Sequence, residues 1–199
     1  MEEKKQNWYL AEGFHPFVKL AFASMYSFIA DGKRLSIDDL PDGVSAALAG
    51  VKDELNRPSA CFVSLKIDGQ LRGCIGTLEP REPLAAAVRS SAISAATQDP
   101  RFPPVTADEL DDLHIEISVL SPLRKVDSPD EIIVGVHGVM VAHGMRRGVF
   151  LPQVAVEQGW DRDTMLNYLC AHKAGLPADA WRHGADLYVF TAQVFGEDE

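Results

Sequence analysis

A cysteine set between two glycines, with an arginine two positions ahead of it, stands in "LRGCIGTLEP" at residues 71–80. Cys74 in that setting has two readings. As a nucleophile or soft metal ligand it would gain from Arg72, whose positive charge favours the thiolate. As structure, it is a small apolar filler, a role free cysteines often take. Gly73 and Gly76 mark a strand that another backbone or a ligand approaches closely. Both readings stay open from the residues alone.

Other side chains could join it. Asp99 and Arg101 lie in "DPRFPP", where Pro100, Pro103 and Pro104 stiffen the loop as a binding segment requires. The competing reading is a helix stop with an Asp–Arg pair. His137 and His143 bracket one strand, but six strand residues span roughly 20 Å, too far for two ligands of one metal ion. His137 is retained as a single binding candidate. Lys173 sits in a last helical turn, where the helix dipole stabilises a cation with or without a ligand. Gln153 offers a donor and an acceptor without specificity of its own. His114 and Glu116 share one face of a strand and are taken as solvated. No histidine can be assigned to Cys74, so no catalytic triad assembles.

These residues need elements to hold them. Apolar residues from Phe17 to Ile29 recur at the spacing of one buried helix face, ending at "DGK". Residues Val44 to Leu55 predict a second, weaker helix. "ACFVSLKIDGQLRGCIGT" predicts a β-hairpin turning at Asp68-Gly69. A three-residue loop, Ile67-Asp68-Gly69, sorts its faces most cleanly and sets Phe62 opposite Cys74 and Ser64 opposite Arg72. It also keeps Cys61 on the other face, away from a disulfide with Cys74. Pro83 opens a helix whose small residues suit tight packing on a sheet.

"LHIEISVL" alternates Leu113, Ile115, Ile117 and Val119 against polar neighbours, as a half-buried strand does. "EIIVGV", "HGVMVAHG" and "RRGVFLP" predict three short strands. Asp161 and Gly175 bound a helix, and "ADLYVFTAQVF" predicts one long central strand. Strands in adjacent runs, rather than in alternation with helices, indicate an α+β fold.

Composition excludes several function classes. The 199 residues carry 19 basic and 29 acidic side chains, a formal charge of −10, with no basic run to follow a phosphate backbone. Nucleic acid and membrane are therefore not expected as partners. The absence of a signal-like stretch and the three widely spaced cysteines, Cys61, Cys74 and Cys170, indicate a cytoplasmic, reducing setting. No Walker loop, GxGxxG, HExxH, GxSxG or CxxC occurs, so no cofactor and no metal is expected.

Taken in order, "LRGCIGTLEP", "AISAATQDPRFPPVTADEL", "ISVLSP", "HGVMV", "FLPQVAVEQGWD" and "HKAGLPADAW" resemble the AMMECR domain family, from about His15 to Phe195. Leu71 to Gly76 are that family's hallmark. The resemblance implies an α+β domain over residues 14–196, two interlocked lobes of mainly antiparallel sheet with packed helices and an N-terminal helix, and tails at 1–13 and 197–199. It also implies likeness to protein A of the AmmeMemoRadiSam system, with a Memo-like protein and a radical S-adenosylmethionine protein as partners. It supplies no reaction.

Two functions follow as expectations. The first is an accessory or binding component whose cleft, lined by Arg72, Gly73, Cys74, Gly76, Asp99, Arg101 and His137, takes a partner or a small anionic ligand. The second is an enzyme in which Cys74 attacks a small anionic substrate held by Arg72 or Arg101. The first is favoured because no general base can be named.

Overall fold

The structure, a computed structural model, describes residues 13–196. Apart from Gly13, the expected tails at 1–13 and 197–199 lie outside the described residues. Of the described residues, those up to Val119 together with those from Gln193 onward form one compact unit, and Leu120–Ala192 form another.

In the first unit, α1 (Pro16–Asp31) follows from apolar residues three and four apart, which bury Phe17, Leu20, Ala21 and Met25. The single helix expected over 44–55 is instead two, α2 (Asp42–Ala49) and α3 (Lys52–Leu55). Gly50 caps the first, and Val51 leaves the helical region with φ −122° and ψ 20°. The hairpin β1 (Ala60–Ile67) and β2 (Gln70–Gly76) precedes α4 (Leu84–Thr97), whose Ala87, Val88, Ala92 and Ala95 are buried. After the proline loop and a 3-10 turn, β3 (His114–Leu120) enters the sheet. Its first half alternates as predicted. Its second half does not: Ser118 is buried and Val119 only half-buried, because both faces of the strand are covered there.

In the second unit β4 (Arg124–Val126), β5 (Gly138–His143) and β6 (Arg146–Phe150) lead to helices α5 (Pro152–Glu157) and α6 (Arg162–Tyr168), then β7 (Asp186–Phe190). Asp161 caps α6 as expected, accepting from the Thr164 N–H at 2.8 Å. The strand expected in "EIIVGV" is a turn. Val136 and His137 N–H groups both donate to the Ile133 carbonyl, and Gly135 adopts φ 83°.

The long central strand expected at the end of the chain is also corrected. It breaks at Thr191 into β7 and β8 (Ala192–Phe195), which belong to different sheets. One sheet has the order β2-β1-β3-β8 and the other β4-β7-β5-β6. The α+β architecture is as expected: two four-stranded antiparallel sheets with packed helices and an N-terminal helix. Among the described residues no helix is long and apolar enough to cross a membrane.

Candidate functional site

The hairpin decides where Cys74 points, and its register differs from the three-residue loop expected. Ile67 pairs with Gln70 across a two-residue turn in which Asp68 and Gly69 both have positive φ, 50° and 74°. Lys66 then pairs with Leu71 and Leu65 with Gly73, leaving Arg72 as the extra residue of a β-bulge. The bulge restores the alternation that a two-residue turn alone would spoil. Ser64, not Phe62, faces Cys74.

Gly73 faces α4. A Cβ there would lie 2.2 Å from the Ala95 carbonyl oxygen, so the helix backbone occupies the side-chain position. At Gly76 a Cβ would lie 2.2 Å from the Cys61 carbonyl oxygen. The close approach expected at these glycines is therefore backbone on backbone in both cases.

Cys74 is partly exposed, whereas Cys61 and Cys170 are buried. Its N–H donates to Asp99 Oδ2 at 2.9 Å, its carbonyl accepts from Arg101 Nη2 at 3.3 Å, and the Ser64 hydroxyl donates to its sulfur at 3.2 Å. Burial pushes the thiol up from its ordinary value, and Ser64 and Arg101 offset only part of that. The fully enclosed Cys61 goes further, to about 12.

Asp99, only 2% exposed at its side chain, also accepts from Arg101 N–H, Nε and Nη2 at 3.1, 2.9 and 2.6 Å. Hydrogen bonds from Arg101, then the Cys74 N–H, hold its carboxyl well below the usual range against the cost of burial. Arg101 itself remains 46% exposed at the side chain. On the Ser64 face of the hairpin, Lys66 pairs with Glu116 at 3.1 Å, so Glu116 is not the solvated residue expected.

Arg72 does not join this cluster through its guanidinium. Nε and Nη2 grip Glu109 at 2.7 and 3.1 Å, while Nη1 donates to the Pro103 carbonyl at 2.8 Å and Nη2 to that of Pro104 at 3.3 Å. Glu109 in turn accepts from the Thr106 N–H at 2.8 Å. Thr106-x-x-Glu109 is a capping box, which marks the start of the 3-10 turn carrying Glu109 but not its pairing with Arg72. Arg72 thus braces the proline loop that carries Asp99 and Arg101.

The Arg72 contact lowers the Glu109 carboxyl to about 2. A depressed carboxylate contributes stability above its unfolded value and loses it as pH falls towards the folded one. Glu109→Gln should therefore cost about 1–2 kcal/mol at neutral pH, allowing for solvent screening of a partly exposed pair. Urea midpoints measured between pH 5 and 2 should decline less steeply in the variant than in the parent.

His137, Gln153 and Lys173 belong to the second unit. His137 Nδ1 accepts from the Ile133 N–H at 3.1 Å, closing the turn before β5. Gln153 is the second residue of α5, and Lys173 Nζ sits 5.6 Å from the centroid of the Phe150 ring. Lys173 lies in a π-helical turn, Leu169–Lys173, that continues α6. Among the described residues no three His, Cys, Asp or Glu side chains are grouped to hold a metal ion.

The AMMECR1 family profile matches residues 18–195, nearly the whole described chain. The chain belongs to the AMMECR1 family. Protein MJ0810 of Methanocaldococcus jannaschii is 42% identical over 92% of this chain and 89% of its own length. Protein MK0488 of Methanopyrus kandleri is 43% identical over 92% and 87%. Among solved structures, uncharacterized protein PH0010 from Pyrococcus horikoshii superposes with a TM-score of 0.81 at 35% identity, covering 94% of this chain and 95% of that one. In this AMMECR1-family chain the hallmark strand is thus a packed, bulged strand with one partly exposed thiol.

Proposed function

We propose that the protein is a binding or accessory component whose Cys74 surface, with Ser64, Asp99 and Arg101, receives a partner or a small anionic group. Support comes first from how the charges are engaged. Asp99 locks the Cys74 backbone and orients Arg101, while the sulfur accepts from the Ser64 hydroxyl. Arg101 is the half-exposed cation that an incoming anion would meet. The family resemblance supports a Memo-like protein and a radical S-adenosylmethionine protein as the partners. The alternative, Cys74 as nucleophile, calls for a thiolate at neutral pH, and burial works against one.

Iodoacetamide labelling of the folded protein separates the two. Cys74 should alkylate more slowly than free cysteine at pH 7, with a rate that climbs through a midpoint above the ordinary thiol value. A fast, pH-independent rate near neutrality would instead establish the nucleophile. In parallel, a tagged protein should retain its Memo-like or radical-protein partner when Cys74 is changed to Ala and lose it with Arg101→Gln. Retention in the arginine variant would exclude this surface.

A further inference from the structure

We infer that the outer edge of β6 is a docking site for an extended segment of a partner protein, added antiparallel to the sheet and carrying carboxylates on alternate residues. β6 ends its sheet, β4-β7-β5-β6, on one side. It pairs with β5 across the two-residue turn Gly144-Met145, so His143 exchanges backbone hydrogen bonds with Arg146, and Val141 with Gly148. The alternate residues, Arg147 and Val149, therefore turn their backbone groups outward. Among the described residues the N–H and carbonyl of Val149 meet no partner. The other three edges offer less. On β2 the Cys74 backbone is capped by Asp99 and Arg101, and β4 and β8 run for only three and four residues.

Charge decides what kind of strand fits. Arg146, Gly148 and Phe150 share one face of β6. The π-helical turn lies on that face, since a Cβ at Gly148 would be 2.7 Å from both Lys173 Cβ and the Ala174 nitrogen. It holds Lys173 Nζ 5.6 Å from the Phe150 ring centroid, while Arg146 Nη1 donates to the Gly175 carbonyl. Among the described residues neither cation forms an ion pair. No Asp or Glu occurs at residues 132–156 or 164–178, on a chain whose formal charge is −10. Carboxylates on this face of an added strand would supply the missing counter-ions. The opposite face offers half-buried Val149, which suits an apolar residue between each pair of carboxylates. A second copy of β6 would instead set arginine against arginine, which disfavours self-pairing. The site lies in the second unit and uses neither Cys74 nor Arg101.

The test is a titration of the full chain, followed by amide NMR, with the blocked peptide acetyl-TEVEVEVT-amide as the probe. It should bind saturably, slow hydrogen exchange at the Val149 amide, and bind about tenfold more tightly than the same peptide with Gln in place of Glu. In an antiparallel pair the residue opposite Val149 shares its face, so the valines of the peptide must supply the backbone hydrogen bonds to β6. N-methylation of those valines should abolish binding, and N-methylation of the glutamates should leave it. Arg146→Gln and Lys173→Gln should each weaken the Glu peptide about fivefold and leave the Gln peptide unchanged. Val149→Pro, which removes the outward N–H and no bond within the sheet, should abolish the response. No saturable binding, binding that survives valine N-methylation, equal affinity for the Gln peptide, protection confined to residues outside β6, or dimerisation of the peptide-free chain through β6 would overturn the inference. Thermal melts confirm that each variant is folded, and the N-methylated peptides test the backbone contact on the unaltered chain. Neither Cys74 nor Arg101 is touched, so the outcome is independent of the surface proposed above.

Discussion

Gly73→Ala is expected to cost about 3 kcal/mol or more of folding free energy, at the upper end for overpacking a core. The new methyl carbon would lie 2.2 Å from the Ala95 carbonyl oxygen and 3.1 Å from its carbon. A comfortable carbon–oxygen contact needs about 3.3 Å or more, so strand and helix would have to part by roughly 1 Å. Neither can give easily. Ala95 belongs to a buried helix face, and Leu65, paired with Gly73, is fully enclosed. Gly76→Ala meets a similar obstacle, because the Cys61 carbonyl and the Phe62 Cα and ring carbon all lie within 2.5 Å of the added atom.

Gly50→Ala serves as the control. Its φ is −72° and its nearest neighbour is 4.0 Å away, so no loss is expected. Urea unfolding of the three variants checks this directly: a Gly73→Ala midpoint equal to that of Gly50→Ala would show that the helix does not rest on the strand as described. The expected result also gives the hallmark glycines a role that requires no ligand.

What the sequence displays of this architecture depends on how local each cause is. α1 is legible because its apolar spacing alone specifies it, and the hairpin because Asp68-Gly69 marks the turn. The register was not legible, since it rests on the bulge at Arg72, and that bulge is coupled to Glu109, 37 positions further along. Likewise "ADLYVFTAQVF" is one apolar run to any local reading. It divides because Thr191 exchanges hydrogen bonds with Ser121, 70 residues earlier: the Ser121 N–H donates to the Thr191 carbonyl, and the Thr191 N–H donates to the Ser121 hydroxyl, both at 2.9 Å.

At the site, the prolines around Asp99 and Arg101 made that segment conspicuous. Its link to Cys74 is a backbone hydrogen bond with no compositional trace. The solvated reading of Glu116 failed for a related reason, because Lys66 arrives from another strand.

Asp99→Ala should be the second severe change, about 2–3 kcal/mol, because it removes the acceptor of the Cys74 N–H together with three hydrogen bonds from Arg101. The figure stays below that for a fully buried ion pair because Arg101 is 46% exposed and can be rehydrated. Asp99→Asn should lose nearly as much, since one oxygen becomes an amide that points donors at donors. Arg101→Gln should cost less, about 1 kcal/mol, as Asp99 keeps the Cys74 N–H.

Acid sharpens the distinction. Asp99 is held below its ordinary value by Arg101 and the Cys74 N–H, so its contribution is complete above the unfolded carboxylate value near 4 and disappears as pH falls through the lower folded value. Chemical denaturation between pH 5 and 2 should therefore show the parent losing stability on acidification faster than Asp99→Asn, the two curves converging at the acid end. Parallel curves would mean that the Asp99 carboxylate is not held as described. Hydrogen exchange provides the local readout: the Cys74 amide should lose protection in Asp99→Ala and keep it in Arg101→Gln, a separation that a general loosening of the unit would not produce.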